Sequence, residues 1–95
     1  MTALTVVAKL KAKSGCEEKL AALLQGLVAP TRAEAGCLAY DLHRSHDDPG
    51  TFLFTESWAS RALWDAHMAS PHLAAFGEQQ GAVTESWDLF TGEKV

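Results

Sequence analysis

The four residues Asp47-Asp48-Pro49-Gly50 constrain this chain of 95 residues more than any other stretch. Proline presets one backbone angle, while aspartate and glycine tolerate conformations that other residues resist, so the chain is predicted to reverse here. Apolar residues alternate on both sides of the turn. Cys37 to His46 sets Leu38, Tyr40 and Leu42 against Ala39, Asp41 and His43, and Thr51 to Trp58 sets Phe52 and Phe54 against Leu53. A period of two is a strand pattern. Two such runs around a turn predict an antiparallel hairpin at the centre of the chain.

Helical patterns flank the hairpin. Leu4 to Lys11 alternates as a first strand, and Ser14-Gly15-Cys16-Glu17 then has the spacing of a capping box. Leu20, Leu23, Leu24, Leu27 and Val28 form one helical stripe. Pro30 is expected to interrupt or kink that helix, with a further turn or two through Thr31 to Ala35 and Gly36 as the stop. Beyond the hairpin, Ser60 is suited to cap a helix on which Leu63 and His67 share one face and Trp64 and Met68 another. Ser70-Pro71 starts a second helical segment, weakened by Gly77 and Gly81, and Val83 to Phe90 reads as the last strand.

The order is βαββαβ. It predicts an α+β, ferredoxin-like antiparallel sheet with its helices on one side. No repeat, low-complexity segment or linker divides the sequence, so residues 1–95 are expected to form a single domain. Val6 with Val7, and Phe52 and Phe54 with Leu53, place apolar groups on both sheet faces. Helices cover only one, and a large apolar side chain left in water forgoes roughly 1.5–3 kcal/mol. A second copy is therefore expected on the other face, giving a homodimer.

The formal charge is −4, and no stripe concentrates Lys or Arg, which argues against a nucleic-acid partner. No apolar run is long enough to cross a bilayer and no signal peptide is evident, so a soluble cytoplasmic protein without a membrane partner is expected. Cys16 and Cys37 lack metal or redox spacing and are expected as free thiols. Nucleotide-binding glycine motifs, a nucleophile elbow and the zinc-protease helix motif are all missing from the sequence. His43 and His46, three apart on a strand, turn to opposite faces, so no metal site is expected from them.

Chemistry-bearing residues gather between Glu56 and Phe76. His67 reads either as an inert core histidine or as an acid–base group titrating near neutrality. Glu56 either pairs with Arg44 or Arg61, or sits desolvated beside Phe54 and Trp58 with its pKa raised, orienting His67 or exchanging a proton itself. Trp58 and Phe76 read as core or as walls of a ligand pocket, as do Trp64 and Trp87. His72 is a surface residue or a site residue, and His43 shares a face with Asp41, which would allow an oriented His–Asp pair.

The succession Glu56-x-Trp58, His67, Ser70-Pro71-His72 and Phe76, together with Arg32-Ala33-Glu34-Ala35-Gly36-Cys37-Leu38-Ala39-Tyr40-Asp41, resembles the antibiotic biosynthesis monooxygenase (ABM) family, which includes quinol monooxygenases. The resemblance implies a dimeric α/β barrel in which two sheets meet face to face. It also implies a monooxygenase needing no cofactor, whose partners are a small electron-rich aromatic and O2. It casts His67 as the base and Glu56 as its orienter or a second acid. Trp58, Tyr40 and Phe76 would be pocket walls, with His72 and His43 as further substrate-binding candidates. The chain contains no asparagine, whereas the haem-degrading and anthrone-oxidising branches rely on one near a tryptophan. The quinol-oxidising branch is the closer likeness. Two other functions fit the same fold. One is isomerisation of a small carbonyl or sugar-phosphate compound, with Arg32 or Arg44 gripping the phosphate. The other is non-catalytic binding of an aromatic ligand by a dimeric stress-response protein.

Overall fold

The structure is a computed structural model and describes residues 3–95. Its central turn is closed by the residues that predicted it. Asp48 accepts from the Gly50 amide and the Thr51 hydroxyl, at 3.2 and 2.7 Å, and Ser45 N–H donates to the Thr51 carbonyl at 2.9 Å. The flanking strands β2 (Cys37–Arg44) and β3 (Thr51–Trp58) pair antiparallel. Around them lie β1 (Leu4–Ala12), α1 (Glu17–Arg32), α2 (Arg61–Met68), α3 (Pro71–Gln80) and β4 (Thr84–Gly92). The four strands form one antiparallel sheet in the order β2-β3-β1-β4, the ferredoxin-like arrangement.

Register decides which side chains meet. Phe52, Phe54, Glu56 and Trp58 of β3 oppose Leu10, Ala8, Val6 and Leu4 of β1, so these share one face. Tyr40 and Leu42 of β2, and Trp87 and Leu89 of β4, join the same face through their own pairings. The helices cover it. Leu20, Leu24 and Leu27 of α1 and Trp64 of α2 complete the core with Val6, Phe52 and Trp58, while Leu73 and Phe76 of α3 pack against its edge. Each such buried apolar side chain contributes roughly 1.5–3 kcal/mol.

Several local expectations are corrected. Helix α1 begins at Glu17, with Cys16 in the cap position and no side-chain cap bond; the Glu17 carboxylate accepts from Gly15 N–H rather than completing a box with Ser14. Pro30 lies inside α1, which continues to Arg32. The helix nearly ends there, so the missing donor and the ring's clash fall on its last turn, where few bonds remain to break. In β2 the register slips between Cys37 and Ala39, so Leu38 leaves the alternation with Tyr40 and is 61% exposed. β2 ends at Arg44 rather than His46, and β4 runs from Thr84 to Gly92.

The far face of the sheet is mixed rather than continuously apolar. It carries Val7 and Leu53 among Thr5, Lys9, Asp41, His43, Thr55 and Ser57. Exposed large apolar groups concentrate on β4, where Trp87 and Leu89, on the helix-covered face, are 58% and 40% exposed and Phe90, beside Val7 on the far face, is 59% exposed. Among the described residues, no helix is long and apolar enough to cross a membrane.

Candidate active site

The strand-to-helix corner is built by local rules. Ser60 adopts an extended conformation and its hydroxyl accepts from Leu63 N–H at 3.2 Å, which starts α2. Ser70 does the same for Leu73 at 3.4 Å, and Pro71 opens α3. The i, i+4 spacing from Leu63 then brings His67 under the sheet, where it is 2% exposed.

Between the sheet and the helices lies a cavity of about 300 Å3. Its walls are mainly apolar, with Phe54, Trp64, Leu73 and Phe76 among them, and its polar groups come from Tyr40, Glu56, His67 and Gln80. Among the described residues, no Lys or Arg lines it. Trp87 and Leu89, half exposed on β4, stand at its open side.

His67 is held on several sides. Its ring lies 4.7 Å from Trp58 at 31° and 5.6 Å from Tyr40, edge-on. Its Nδ1 lies 2.6 Å from Glu34 Oε2, and His72 Nε2 reaches the same oxygen at 2.9 Å. Desolvation holds the His67 pKa below the usual imidazole value; Glu34 opposes this, through its hydrogen bond and its charge, without overcoming it. Nε2, the nitrogen left over, has no hydrogen-bond partner among the described residues.

Glu56 takes the third option, pairing with neither Arg44 nor Arg61. Trp58 Nε1–H donates to its Oε1 at 2.9 Å. Burial pushes the Glu56 carboxyl up to about 7, offset in part by the indole bond and reinforced by the charge of Glu34. Arg44 binds Glu18 and stacks on Phe52, and Arg61 pairs with Asp65. Tyr40 stacks on Phe54 at 4.5 Å, and desolvation raises its hydroxyl far above the usual phenol range.

Of the residues singled out from the sequence, His67, Glu56, Tyr40 and Phe76 meet at the cavity. Trp58 is fully buried behind them and backs His67 instead of forming a wall. His72 reaches the site through Glu34 and is not a wall either. His43 lies on the far face of the sheet, where its Nε2 is 3.1 Å from Thr55 Oγ1, and Asp41 pairs with Arg32 instead. The expectation that Glu56 orients His67 is also corrected, because the carboxylate at the imidazole belongs to Glu34.

Sequence reasoning assigned Glu34 no role. It sits in the turn after α1, where its amide donates to Thr31 and its carbonyl accepts from Cys37. The signal was Gly36. Its φ is +81°, and a Cβ there would come within 2.9 Å of Leu63 Cβ. Glycine thus lets the turn close onto α2, one helical turn before His67. Glu34, His67 and His72 offer ligand atoms within 4.8 Å of one another, donor types that suit a borderline metal. The 2.6 and 2.9 Å spacings to one oxygen are those of charge-assisted hydrogen bonds.

Residues 3–79 match the family described as antibiotic biosynthesis monooxygenase, ABM. Rv0793 from Mycobacterium tuberculosis is 40% identical over 76 residues, which are 80% of this chain and 74% of that protein. The uncharacterised protein sll1783 from Synechocystis is 33% identical over 76 residues, 80% of this chain, and this stretch spans only 52% of that relative's length. Among solved structures, PA3566 from Pseudomonas aeruginosa superposes with a TM-score of 0.97 at 35% identity, covering 100% of this chain and 96% of that one. With the family match spanning most of its length and the fold reproduced throughout, the chain belongs to the antibiotic biosynthesis monooxygenase (ABM) family.

Proposed function

We propose that the protein is a cofactor-independent monooxygenase that oxidises a small phenol or quinol with O2. The observation that carries this reading is the unpartnered Nε2 of His67, on a residue lining an apolar cavity of about 300 Å3 beside a carboxyl titrating at about 7. An imidazole kept neutral by its surroundings can accept a phenolic proton at Nε2. The resulting phenolate is electron-rich enough to reduce O2 directly, the electrons coming from the substrate. Loss of two electrons and two protons from a hydroquinone gives the quinone and reduces O2 to H2O2. In monooxygenation of a phenol the ring gives up four electrons as it becomes a quinone, one oxygen atom entering it and the other leaving as water. Glu56, near its own midpoint at neutral pH, can return a proton to a developing oxyanion. The apolar walls exclude water that would compete for both groups.

The test is oxygen consumption over a panel of hydroquinones and naphthols, with metal-stripped protein. Uptake is expected, and His67→Ala should lower it about a hundred- to ten-thousand-fold. Uptake unchanged in that variant would overturn the assignment. The sugar-phosphate isomerase reading has less support, since Arg32 and Arg44 are engaged elsewhere and no cation lines the cavity. Turnover of a phosphorylated ketose would restore it, and ligand binding without turnover would favour the non-catalytic reading.

The same proposal includes a homodimer working in the cytoplasm, where the free thiols Cys16 and Cys37 are stable. Phe90, beside Val7 on the far face, and Trp87 and Leu89 on the other face of the edge strand β4 are exposed apolar groups a second copy would cover. Sedimentation should give twice the chain mass; a monomer at micromolar concentration would rule the dimer out.

A further inference from the structure

We propose that Glu34 is a positioning residue that fixes the tautomer of His67, and that His72 braces Glu34 in turn, so that the working unit is a chain His72–Glu34–His67. This rests on the reading of His67 as the base, and it adds residues from the turn after α1 and from α3 to a site otherwise made by the sheet and α2.

The argument starts from one oxygen. Glu34 Oε2 lies 2.6 Å from His67 Nδ1 and 2.9 Å from His72 Nε2. A carboxylate oxygen only accepts, so a bare imidazole nitrogen facing it at those distances would set lone pair against lone pair. Both nitrogens therefore carry protons. For His67 that consigns the lone pair to Nε2, the atom proposed to take the substrate's proton. Without this constraint the ring is free to place its proton on Nε2, and the base is lost although the side chain is present.

Among the described residues, Glu34 is the group placed to impose this. From the sheet, Glu56 is engaged by the Trp58 indole, and Tyr40 and Trp58 meet His67 through their rings. These rings set the plane of the imidazole but offer no acceptor to Nδ1. The side chains of His67, Glu34 and His72 are 3%, 18% and 21% exposed, so the chain runs from the buried base toward the surface. Glu34 is held by its own backbone bonds and by the close approach of Gly36 to Leu63. The tie from His72 removes the remaining freedom of its carboxylate, as a partner to an orienting group does in other acid–base sites.

Two-bond 1H–15N correlation spectra of the histidine rings, recorded on 15N-labelled protein without substrate, test this directly. Wild-type His67 is expected to show a protonated Nδ1 and a bare Nε2. Glu34→Ala should move the proton toward Nε2, whereas Glu34→Gln, whose amide oxygen can accept both N–H groups, should retain the wild-type tautomer. His72→Ala should shift the His67 signals toward the average of the two tautomers. In turnover, Glu34→Ala should lower kcat about a hundred- to ten-thousand-fold with a much smaller change in KM, and Glu34→Gln should recover part of it. A wild-type His67 protonated at Nε2, or a tautomer indifferent to Glu34→Ala, would overturn the proposal, and signals unmoved by His72→Ala would remove His72 from the chain. If the tautomers behave as stated but wild-type protein consumes no oxygen with any phenol, the positioning role stands and the oxygenase reading fails.

Discussion

Glu34 and Glu56 are two glutamates near the same imidazole, and the structure treats them oppositely. Glu34 sits in a turn, and one of its oxygens faces two imidazole nitrogens. Glu56 sits mid-strand at 7% exposure and has one indole donor, so desolvation prevails and its carboxyl rises to about 7. What separates them is what each carboxylate meets. Glu34 faces two ring nitrogens and can anchor them; Glu56 lies in a deep apolar site where one indole donor does not offset desolvation, so it can gain and lose a proton near neutral pH.

Removing the side chain that touches both Glu56 and the imidazole held by Glu34 has the largest expected effect. Trp58 is fully buried, donates to Glu56 and packs on His67. Trp58→Ala should cost about 3–5 kcal/mol in urea unfolding. A loss below about 1 kcal/mol would mean that the core closes over the gap and that Trp58 is not the backing of the site.

Next is the pH dependence of Glu56. Its folded pKa, about 7, lies above the ordinary glutamate value of 4.5, so its contribution to stability is full below 4.5 and is lost as pH rises through 7. The amount is about 3 kcal/mol at 1.36 kcal/mol per unit. His67 acts in the opposite sense, because its folded pKa is lowered from 6.5. Its contribution is present above that value and is lost as pH falls through the folded pKa. Glu56→Gln keeps an acceptor for the Trp58 indole and should flatten the loss of stability between pH 4.5 and 7, leaving in place the opposing loss from His67 below 6.5. Stability curves at closely spaced pH values check this, and an unchanged decline between pH 4.5 and 7 would show that Glu56 ionises freely.

The smallest effect expected is that of Glu34→Ala on stability, about 1–3 kcal/mol for two donors left without their acceptor. The decline between pH 4.5 and 7 from Glu56 should persist in this variant. Its disappearance would mean that the two carboxylates act as one unit and that the contrast between them is false.

The corner that carries the site was legible because its signals are local. Ser60, Ser70 and Pro71 mark helix starts through their own backbone preferences, and Glu56 and Trp58 share a face by the two-residue period of a strand. The bulge at Leu38 was not legible, since it shows only when β2 is laid against β3. The lack of a break at Pro30 was not legible, because its cost depends on how many helical turns remain after it, and α1 has almost none.

By itself the sequence determined the order of strands and helices, the central reversal and the burial of His67, all of which follow from periods and caps within a few residues. Only the tertiary structure decided which acid meets that histidine. Glu34 and His67 stand 33 positions apart, and Glu56, the nearer candidate along the chain, is engaged by its neighbour Trp58. Which groups meet at that distance is decided by how a glycine turn closes onto a helix, and no residue period records that.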